Sequence, residues 1–242
     1  MHTFDLLNCG PRSQFMVYGK TERHIVHNCG YQGGNGALIQ MGALDMGIKE
    51  EELPEMVSAW RDASPEIVAA WYATETAARK AIQNPGQVFR PDGKDLPADA
   101  AIRNFQFMVA SGMLQIKMPS GRRLCYIKPR LAKNAKGRTG IKYWGIHQKT
   151  KQWCELDTYG GKLIENITQA FARDCLAVSM MKVYDAGYQM IMLVHDEIVF
   201  DLLLGFGSLK EVLGVMAEEI PFAKGLPLKG AGYDDAPFFY KD

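Results

Sequence analysis

The fold is decided by Met190-Ile191-Met192-Leu193-Val194-His195-Asp196-Glu197-Ile198-Val199-Phe200, where two apolar runs flank a short polar turn. This pattern is typical of a tight β-hairpin whose strands are buried in a core. A carboxylate at the tip of such a hairpin is held rigidly, and Mg²⁺ prefers hard oxygen ligands. Strand alternation separates Asp196 from His195 and Glu197, so we predict that Asp196 is a metal ligand. The alternative is that His-Asp-Glu forms an ordinary polar turn.

The composition is that of a protein with a substantial core. The chain has 242 residues, of which 47% are hydrophobic and 23% are charged. No apolar run is long enough to span a bilayer, and no secretory signal leads the sequence. The five cysteines are scattered and form no CxxC pair, which disfavours a disulfide framework or a zinc site. We therefore expect a cytoplasmic protein with no membrane partner.

A basic block extends from Lys117 to Lys151 and contains no acidic residue. Such a block can neutralise the phosphates of a nucleic acid, although a solvated loop is an equally good interpretation of the charge alone. Aromatic residues within the block favour nucleic acid slightly, because bases stack on them. These aromatic residues are Tyr126, Tyr143 and Trp144. The basic residues are Lys117, Arg122, Arg123, Lys128, Arg130, Lys133, Lys136, Arg138, Lys142, Lys149 and Lys151.

The rest of the chain predicts an α+β fold. Residues 1–28 are β-rich, with strand-like runs at Phe4–Leu7 and Gln14–Tyr18. Residues 50–83 predict two helices, the second beginning with Ser64 as its N-cap. Residues 87–157 are extended and rich in loops. Residues 161–186 predict the clearest helix, and a last helix is predicted near 208–220.

Several segments, in the same order, resemble family A DNA polymerases, the group that includes bacterial DNA polymerase I. The resemblance covers about residues 29–242, and several ordered motifs are more specific than one. The hairpin resembles the third polymerase motif, and Gly30–Leu38 resembles the end of the fingers-helix motif in the bacteriophage branch. The other segments are Met118–Leu124 after the fingers, Thr158–Asp174 in the long palm helix, and Lys224–Tyr233 at the C-terminal end.

The resemblance implies roles for individual residues. Asp196 would bind catalytic Mg²⁺, with His195 and Glu197 supporting the primer terminus and the metal environment. Tyr31 would stack beside the nascent base pair; the alternative is a tyrosine in the core.

The same resemblance assigns contacts to DNA. Gln169 would contact the minor groove near the primer end, with Arg173 on the same helical face. Arg122 or Arg123 would contact DNA or the triphosphate, and each could instead be a surface residue. The implied partners are primer-template DNA and dNTPs.

Two parts of the family pattern are missing from the sequence. The first motif, which carries the other metal-binding Asp, is absent, as are the Arg and Lys that lead the fingers helix. A chain that lacks one of two metal carboxylates should not polymerise alone. We therefore predict residues 29–90 as part of the fingers and residues 91–242 as the palm of a larger enzyme.

Residues 1–28 resemble the C-terminal fragment of a split intein. The likeness lies in Thr3–Leu7, Phe15–Val17 and Ile25–Cys29, the last of which falls where the polymerase resemblance begins. Cysteine suits such a junction because its thiolate can attack an activated acyl group and take over the upstream chain. We expect trans-splicing at Asn28/Cys29 with a second polypeptide, the N-terminal polymerase half carrying the N-intein.

The intein resemblance also implies residue roles. Cys29 would attack the activated acyl group, and Asn28 would cyclise and cleave its own peptide bond. His27 would transfer protons, and Asp5 would help to position or protonate groups. Two alternatives remain open, a degenerate polymerase fragment without splicing and a noncatalytic DNA-binding protein.

Overall fold

The computed structural model describes residues 15–18, 23–26, 29–133, 137–203 and 205–233, with side chains from Gly30 onward. The chain divides into two compact units, Met1–Thr168 and Gln169–Asp242. Helices and strands both contribute, so the predicted α+β class is confirmed. The domain bounds predicted from the polymerase and intein resemblances stay predictions.

In the part of the first unit that the structure describes, the first element is a β-hairpin. Strand β1 (Phe15–Tyr18) pairs antiparallel with β2 (Arg23–Val26), and Phe15 lies opposite Val26. The strand predicted at 14–18 is therefore confirmed, whereas the one predicted at Phe4–Leu7 lies outside the described residues. A 3₁₀ turn, Cys29–Tyr31, follows.

Three helices come next in the first unit. These are α1 (Asn35–Gln40), α2 (Leu53–Ala63), preceded by a 3₁₀ turn at Glu50–Glu52, and α3 (Pro65–Gln83). Trp60 of α2 and Trp71 of α3 are buried and stack with their ring centroids 5.9 Å apart. The two helices predicted at 50–83 are confirmed. Ser64 is the N-cap residue of α3, as predicted, although its side chain makes no capping hydrogen bond.

Within the described residues, the rest of the first unit is built on a five-stranded antiparallel meander. The strands, preceded by a 3₁₀ turn at Ala101–Asn104, are β3 (Gln106–Ala110), β4 (Met113–Lys117), β5 (Arg123–Lys133), β6 (Thr139–Ile146) and β7 (Trp153–Thr158), in sequential order. One face packs into the core through Phe107, Leu114, Ile116, Tyr126 and Ile141. Most of the basic block thus lies in paired strands and not in a solvated loop.

Helix α4 (Gly160–Asp185) is the longest helix, and its residues through Thr168 belong to the first unit. Its end follows from the left-handed φ of 95° at Gly187, where the backbone N–H groups of Gly187 and Tyr188 bond back to Tyr184 and Val183. The helix predicted at 161–186 is confirmed. Among the described residues, no helix is both long enough and apolar enough to cross a membrane.

The second unit contains the predicted hairpin. Strand β8 (Met190–Val194) pairs antiparallel with β9 (Glu197–Phe200). Helix α5 (Leu209–Met216) follows, and Ser208 caps it by accepting a bond from the Glu211 backbone N–H. This helix ends before the predicted 220, because Pro221 opens a 3₁₀ turn (Pro221–Ala223) and disfavours helical backbone in the residue before it.

The expectation that both hairpin strands are buried is wrong for β8. Ile191 is 63% exposed, and Met192 and Leu193 are exposed as well. The physical reason is the size of the sheet: within the described residues β8 pairs with β9 alone. A two-stranded hairpin has too few neighbours to cover both of its faces. On the other side, Phe200 packs against the buried cluster of Val183, Tyr188 and Val212.

Candidate active site

The hairpin turn presents the His-Asp-Glu sequence at its tip. Val194 lies opposite Glu197, so His195 and Asp196 form a two-residue turn. His195 has a left-handed φ of 57°, a backbone conformation in which His occurs more often than most residues other than Gly. His195 and Asp196 are exposed, whereas Glu197 is half-buried as the first residue of β9. The structure thus places the predicted Asp196 carboxylate at an accessible tip.

Helix α4 holds this turn through Arg173. The Arg173 guanidinium donates a hydrogen bond to the backbone oxygen of His195 over 3.1 Å. Gln169, one helical turn earlier and also exposed, lies on the same side of α4 as Arg173. Arg173 therefore meets the predicted residues His195, Asp196 and Glu197 at the hairpin turn. Gln169, the fifth residue predicted for this part of the site, lies one helical turn away along α4.

The turn does not form a complete metal site by itself. Within the described residues, no group of three or more His, Cys, Asp or Glu side chains is arranged to hold a metal ion. Asp196 and Glu197 offer hard oxygen atoms, which suit Mg²⁺. Among the described residues no third His, Cys, Asp or Glu side chain joins these two in a metal-binding group, so Mg²⁺ binding stays a prediction.

Tyr31 lies in a separate part of the fold, in the first unit. It is half-buried at the end of the 3₁₀ turn. The indole N–H of Trp71 donates to the backbone oxygen of Gly30 over 2.8 Å. On the other side, the backbone N–H of Gly161 donates to the side-chain oxygen of Gln32 over 3.0 Å, and Gln32 has a left-handed φ of 66°. The residues on both sides of Tyr31 are therefore fixed by α3 and by the start of α4.

The two glycines that begin α4 allow this close approach. A Cβ atom on Gly160 would lie 2.1 Å from the backbone oxygen of Trp71, and one on Gly161 would lie 2.3 Å from the backbone oxygen of Tyr31. The Gly160 N–H also donates to the Glu75 carboxylate over 3.0 Å. Sequence reasoning assigned no role to this pair or to Glu75. The only local signal was two adjacent glycines at a helix start.

Arg122 and Arg123 lie at the turn between β4 and β5. Both are exposed, and the guanidinium of Arg123 donates to the side-chain oxygen of Gln115 over 2.7 Å. Gln115 is largely buried, so this bond holds Arg123 against the sheet. The two arginines occupy a different element from both Tyr31 and the hairpin. A contact of either arginine with DNA or the triphosphate stays a prediction.

The neighbouring strand β7 partly neutralises the basic block. Arg130 approaches Glu155 to 2.6 Å, and Lys142 lies 3.4 Å from both Glu155 and Asp157. The hydrogen bond from Arg130 lowers the pKa of Glu155 below its usual range. The block is uninterrupted in sequence, but strand pairing brings carboxylates from outside it beside two of its cations.

Two of the three aromatic residues in the block are structural. Tyr126 and Tyr143 meet edge to face, 5.0 Å between centroids, and the Tyr126 hydroxyl accepts a hydrogen bond from Asn166 over 2.9 Å. Burial raises the pKa of Tyr126 to about 12, so its hydroxyl stays protonated at neutral pH. Tyr126 is buried in the core and the half-buried Tyr143 packs against it, so the slight preference for nucleic acid that the aromatic residues gave does not rest on these two. Trp144 remains exposed.

The residues predicted for splicing are not described by the structure. Asp5, His27 and Asn28 lie outside the described residues, and Cys29 is described only as backbone in the 3₁₀ turn. The splicing roles therefore stay predictions.

Similarity to a known protein supports the polymerase interpretation. The chain is 48% identical over 205 residues to a DNA polymerase of Bacillus phage SP02. The match covers 84% of this chain and 30% of the phage protein, so this chain spans about a third of the length of its relative. Neither a protein-family profile nor a solved structure matches the chain. The sequence is thus similar to part of a phage protein that is named a DNA polymerase.

Proposed function

We propose that this chain is the C-terminal portion of a template-directed DNA polymerase of family A. The observation that carries the proposal is the identity of 48% over 205 residues with the phage DNA polymerase. The hairpin geometry supports it, because the exposed Asp196 lies at a tight turn that Arg173 holds from α4. Its substrates would be primer-template DNA and dNTPs.

The chemistry would be the attack of a primer 3′-hydroxyl on the α-phosphate of a dNTP, with release of pyrophosphate. Bound Mg²⁺ would stabilise the charge that develops on the phosphate oxygens. Asp196 would hold the ion, and Glu197 and His195 would order the groups around it. Gln169 and Arg173 would contact the primer end from α4, and Tyr31 would lie beside the nascent base pair.

This portion would need a second part of the enzyme to work. The described residues assemble no complete metal site, and β8 exposes Ile191, Met192 and Leu193. Both observations are expected if the missing carboxylate and the cover for β8 come from the rest of the polymerase. We therefore propose that activity requires the N-terminal polymerase half.

A chimaera can test the polymerase proposal without the natural partner. The matched region of the SP02 polymerase would be replaced by the corresponding residues of this chain, and Mg²⁺-dependent primer extension would be measured. Asp196→Asn should abolish extension, whereas Asp201→Asn, an exposed carboxylate just beyond β9, should leave it largely intact. Extension by the Asp196→Asn chimaera at the parental rate would refute the role of Asp196. An inactive but folded parental chimaera that still binds DNA would favour a noncatalytic DNA-binding protein.

We further propose that residues 1–28 act as a C-intein and join the two halves by trans-splicing. The sequence Val26-His27-Asn28-Cys29 supports this proposal, because it supplies the nucleophile and the cyclising side chain at adjacent positions.

Intact-mass spectrometry after co-expression with the candidate N-terminal half would test splicing. A joined product with residues 1–28 released is expected, and Asn28→Ala should prevent that release. Two unchanged masses with the unaltered chain would contradict splicing for that pair. If the Asn28→Ala variant gave the same product masses as the unaltered chain, the chain would be better explained as a polymerase fragment that does not splice.

A further inference from the structure

The meander in the first unit has an exposed face that no polymerase motif explains. Residues directly opposite each other in an antiparallel pair lie on the same face. Ile127 lies opposite Trp144, and Ile146 lies opposite Trp153. Since Trp144 and Ile146 are two residues apart on β6, all four side chains share one face. We call these four residues the outer sheet face.

The outer sheet face is open to solvent. Trp153 is 53% exposed, Ile146 is 60% exposed, and Ile127 and Trp144 are each 37% exposed. The opposite face of the same strands is buried, with Tyr126 and Ile141 in the core. Core packing therefore accounts for the buried aromatic residues but not for the two tryptophans. Exposed tryptophans close together typically mark a binding surface.

One lysine lies beside Trp144, and two more lie in the turn before Trp153. The Lys128 ammonium lies 5.9 Å from the centre of the Trp144 ring, within the range of a cation–π interaction. Lys128 has a left-handed φ of 48°, at the irregular pairing between Ile127 and Arg130. Lys149 and Lys151 are exposed in the turn that leads to Trp153.

The carboxylates on the same face do not offset these lysines. Glu155 lies opposite Trp144 and contacts both Arg130 and Lys142, and Asp157 contacts Lys142. Each acidic side chain near the tryptophans is thus paired with a cation. The face therefore combines exposed indole rings with a surplus of positive charge, which is complementary to a polyanion that carries flat aromatic groups.

We propose that the outer sheet face binds single-stranded DNA, with bases stacked on Trp144 and Trp153 and phosphates beside Lys128, Lys149 and Lys151. Stacking on a protein surface requires unpaired bases, which is why the occupant is a single strand and not a duplex. This site goes beyond the proposed polymerase chemistry, since it needs neither Asp196 nor a metal ion.

The test uses the full chain, with EDTA present, and fluorescence anisotropy of a labelled oligothymidine. Because stacking of a base on an aromatic residue contributes substantially to the binding free energy, Trp144→Ala and Trp153→Ala should each weaken binding by about 5-fold to 150-fold. Trp144→Phe and Trp153→Phe retain an aromatic ring and should recover most of the affinity. Tyr72→Ala removes a similarly exposed ring from α3 and serves as the matched control, with no expected change.

Salt dependence tests the lysines separately. Each phosphate contact to a single strand contributes about 0.7 to the slope of log K against log salt concentration. Lys149→Glu with Lys151→Glu should therefore reduce the steepness of this slope by about 1.4, whereas the exposed Lys94→Glu should not change it.

Three results would overturn the proposal. The first is an unchanged affinity in the Trp144→Ala, Trp153→Ala double variant with its circular dichroism intact. The second is preferential binding of duplex DNA. The third is that the chain does not bind the oligonucleotide but associates with itself, and that the double variant abolishes this self-association. The outer sheet face would then be a protein–protein contact. Because the assay contains no metal and measures no synthesis, failure of the polymerase proposal would leave its outcome unaffected.

Discussion

Replacement of Gly160 by alanine should destabilise the first unit, although alanine is the better helix former. The φ of Gly160 lies outside the left-handed range, so its backbone conformation would accept a side chain. The obstacle is contact: the added Cβ would lie 2.1 Å from the Trp71 oxygen and 3.3 Å from the Glu75 Cβ. The first of these atoms belongs to the backbone of α3, so relief requires that α3 and the start of α4 separate.

The magnitude follows from two destabilising effects and one stabilising effect. Overpacking of this kind costs about 1–3 kcal/mol. Separation of the helices also lengthens the hydrogen bond from the Gly160 N–H to Glu75, and bonds to charged groups contribute about 1.5–3 kcal/mol. Exchange of Gly for Ala in a helix contributes at most about 1 kcal/mol in the other direction. We expect a net loss of about 2–4 kcal/mol in the free energy of unfolding.

Urea denaturation can measure this loss, with near-UV circular dichroism to follow the environment of the buried Trp71 and Trp60. Gly36→Ala is the matched control, since Gly36 also lies in the first turn of a helix, α1, but a Cβ there would meet nothing within 4 Å. The control should be neutral or slightly stabilising. If Gly160→Ala were as stable as Gly36→Ala, the close approach of α3 and α4 would not be what requires glycine at this position.

Three further outcomes are expected. The pKa of Tyr126 in the folded protein is about 12, against about 10 in the unfolded chain. The free energy of unfolding should therefore be undiminished below pH 10 and fall by up to about 3 kcal/mol as the pH rises from 10 to 12. A pH series of denaturation curves should show this loss, and Tyr126→Phe should remove it. Arg173→Ala removes the bond to the His195 oxygen and should raise amide hydrogen exchange in the hairpin turn, while Lys182→Ala, farther along α4, should not; equal exchange in both would contradict the role of Arg173. Glu155→Gln leaves Arg130 and Lys142 without their shared carboxylate, so titration at low salt should show stronger binding of single-stranded DNA. Weaker binding would contradict the proposal that Glu155 offsets positive charge on the outer sheet face.

The sequence predicted well the elements whose signals are local. Helix α4 carries an apolar stripe that includes the buried Ile167 and Cys175, and its end coincides with Gly187. The β8–β9 hairpin follows from two apolar runs and a polar pair, all within eleven residues. The exposure of β8 was not predictable in this way, because it depends on how many strands are available to pair with it.

Non-local contacts account for most of what sequence reasoning missed. Gly160 and Glu75 are 85 positions apart, and Gly161 and Gln32 are 129 apart, yet each pair is joined by a hydrogen bond. Their sequence neighbourhoods give no indication that they meet. The carboxylates beside Arg130 and Lys142 were missed for the same reason, since they come from the next strand.

The aromatic residues of the basic block show how register decides function. Tyr143 and Trp144 are adjacent, and a strand turns adjacent side chains to opposite faces. The pairing of Tyr143 with Leu156 and of Trp144 with Glu155 sends the first towards the core and the second to the surface. A shift of one residue would exchange these positions and bury Lys142 in place of Ile141. The cost of burying that charge fixes the register, and the register in turn determines that Trp144, and not Tyr143, is available to a base.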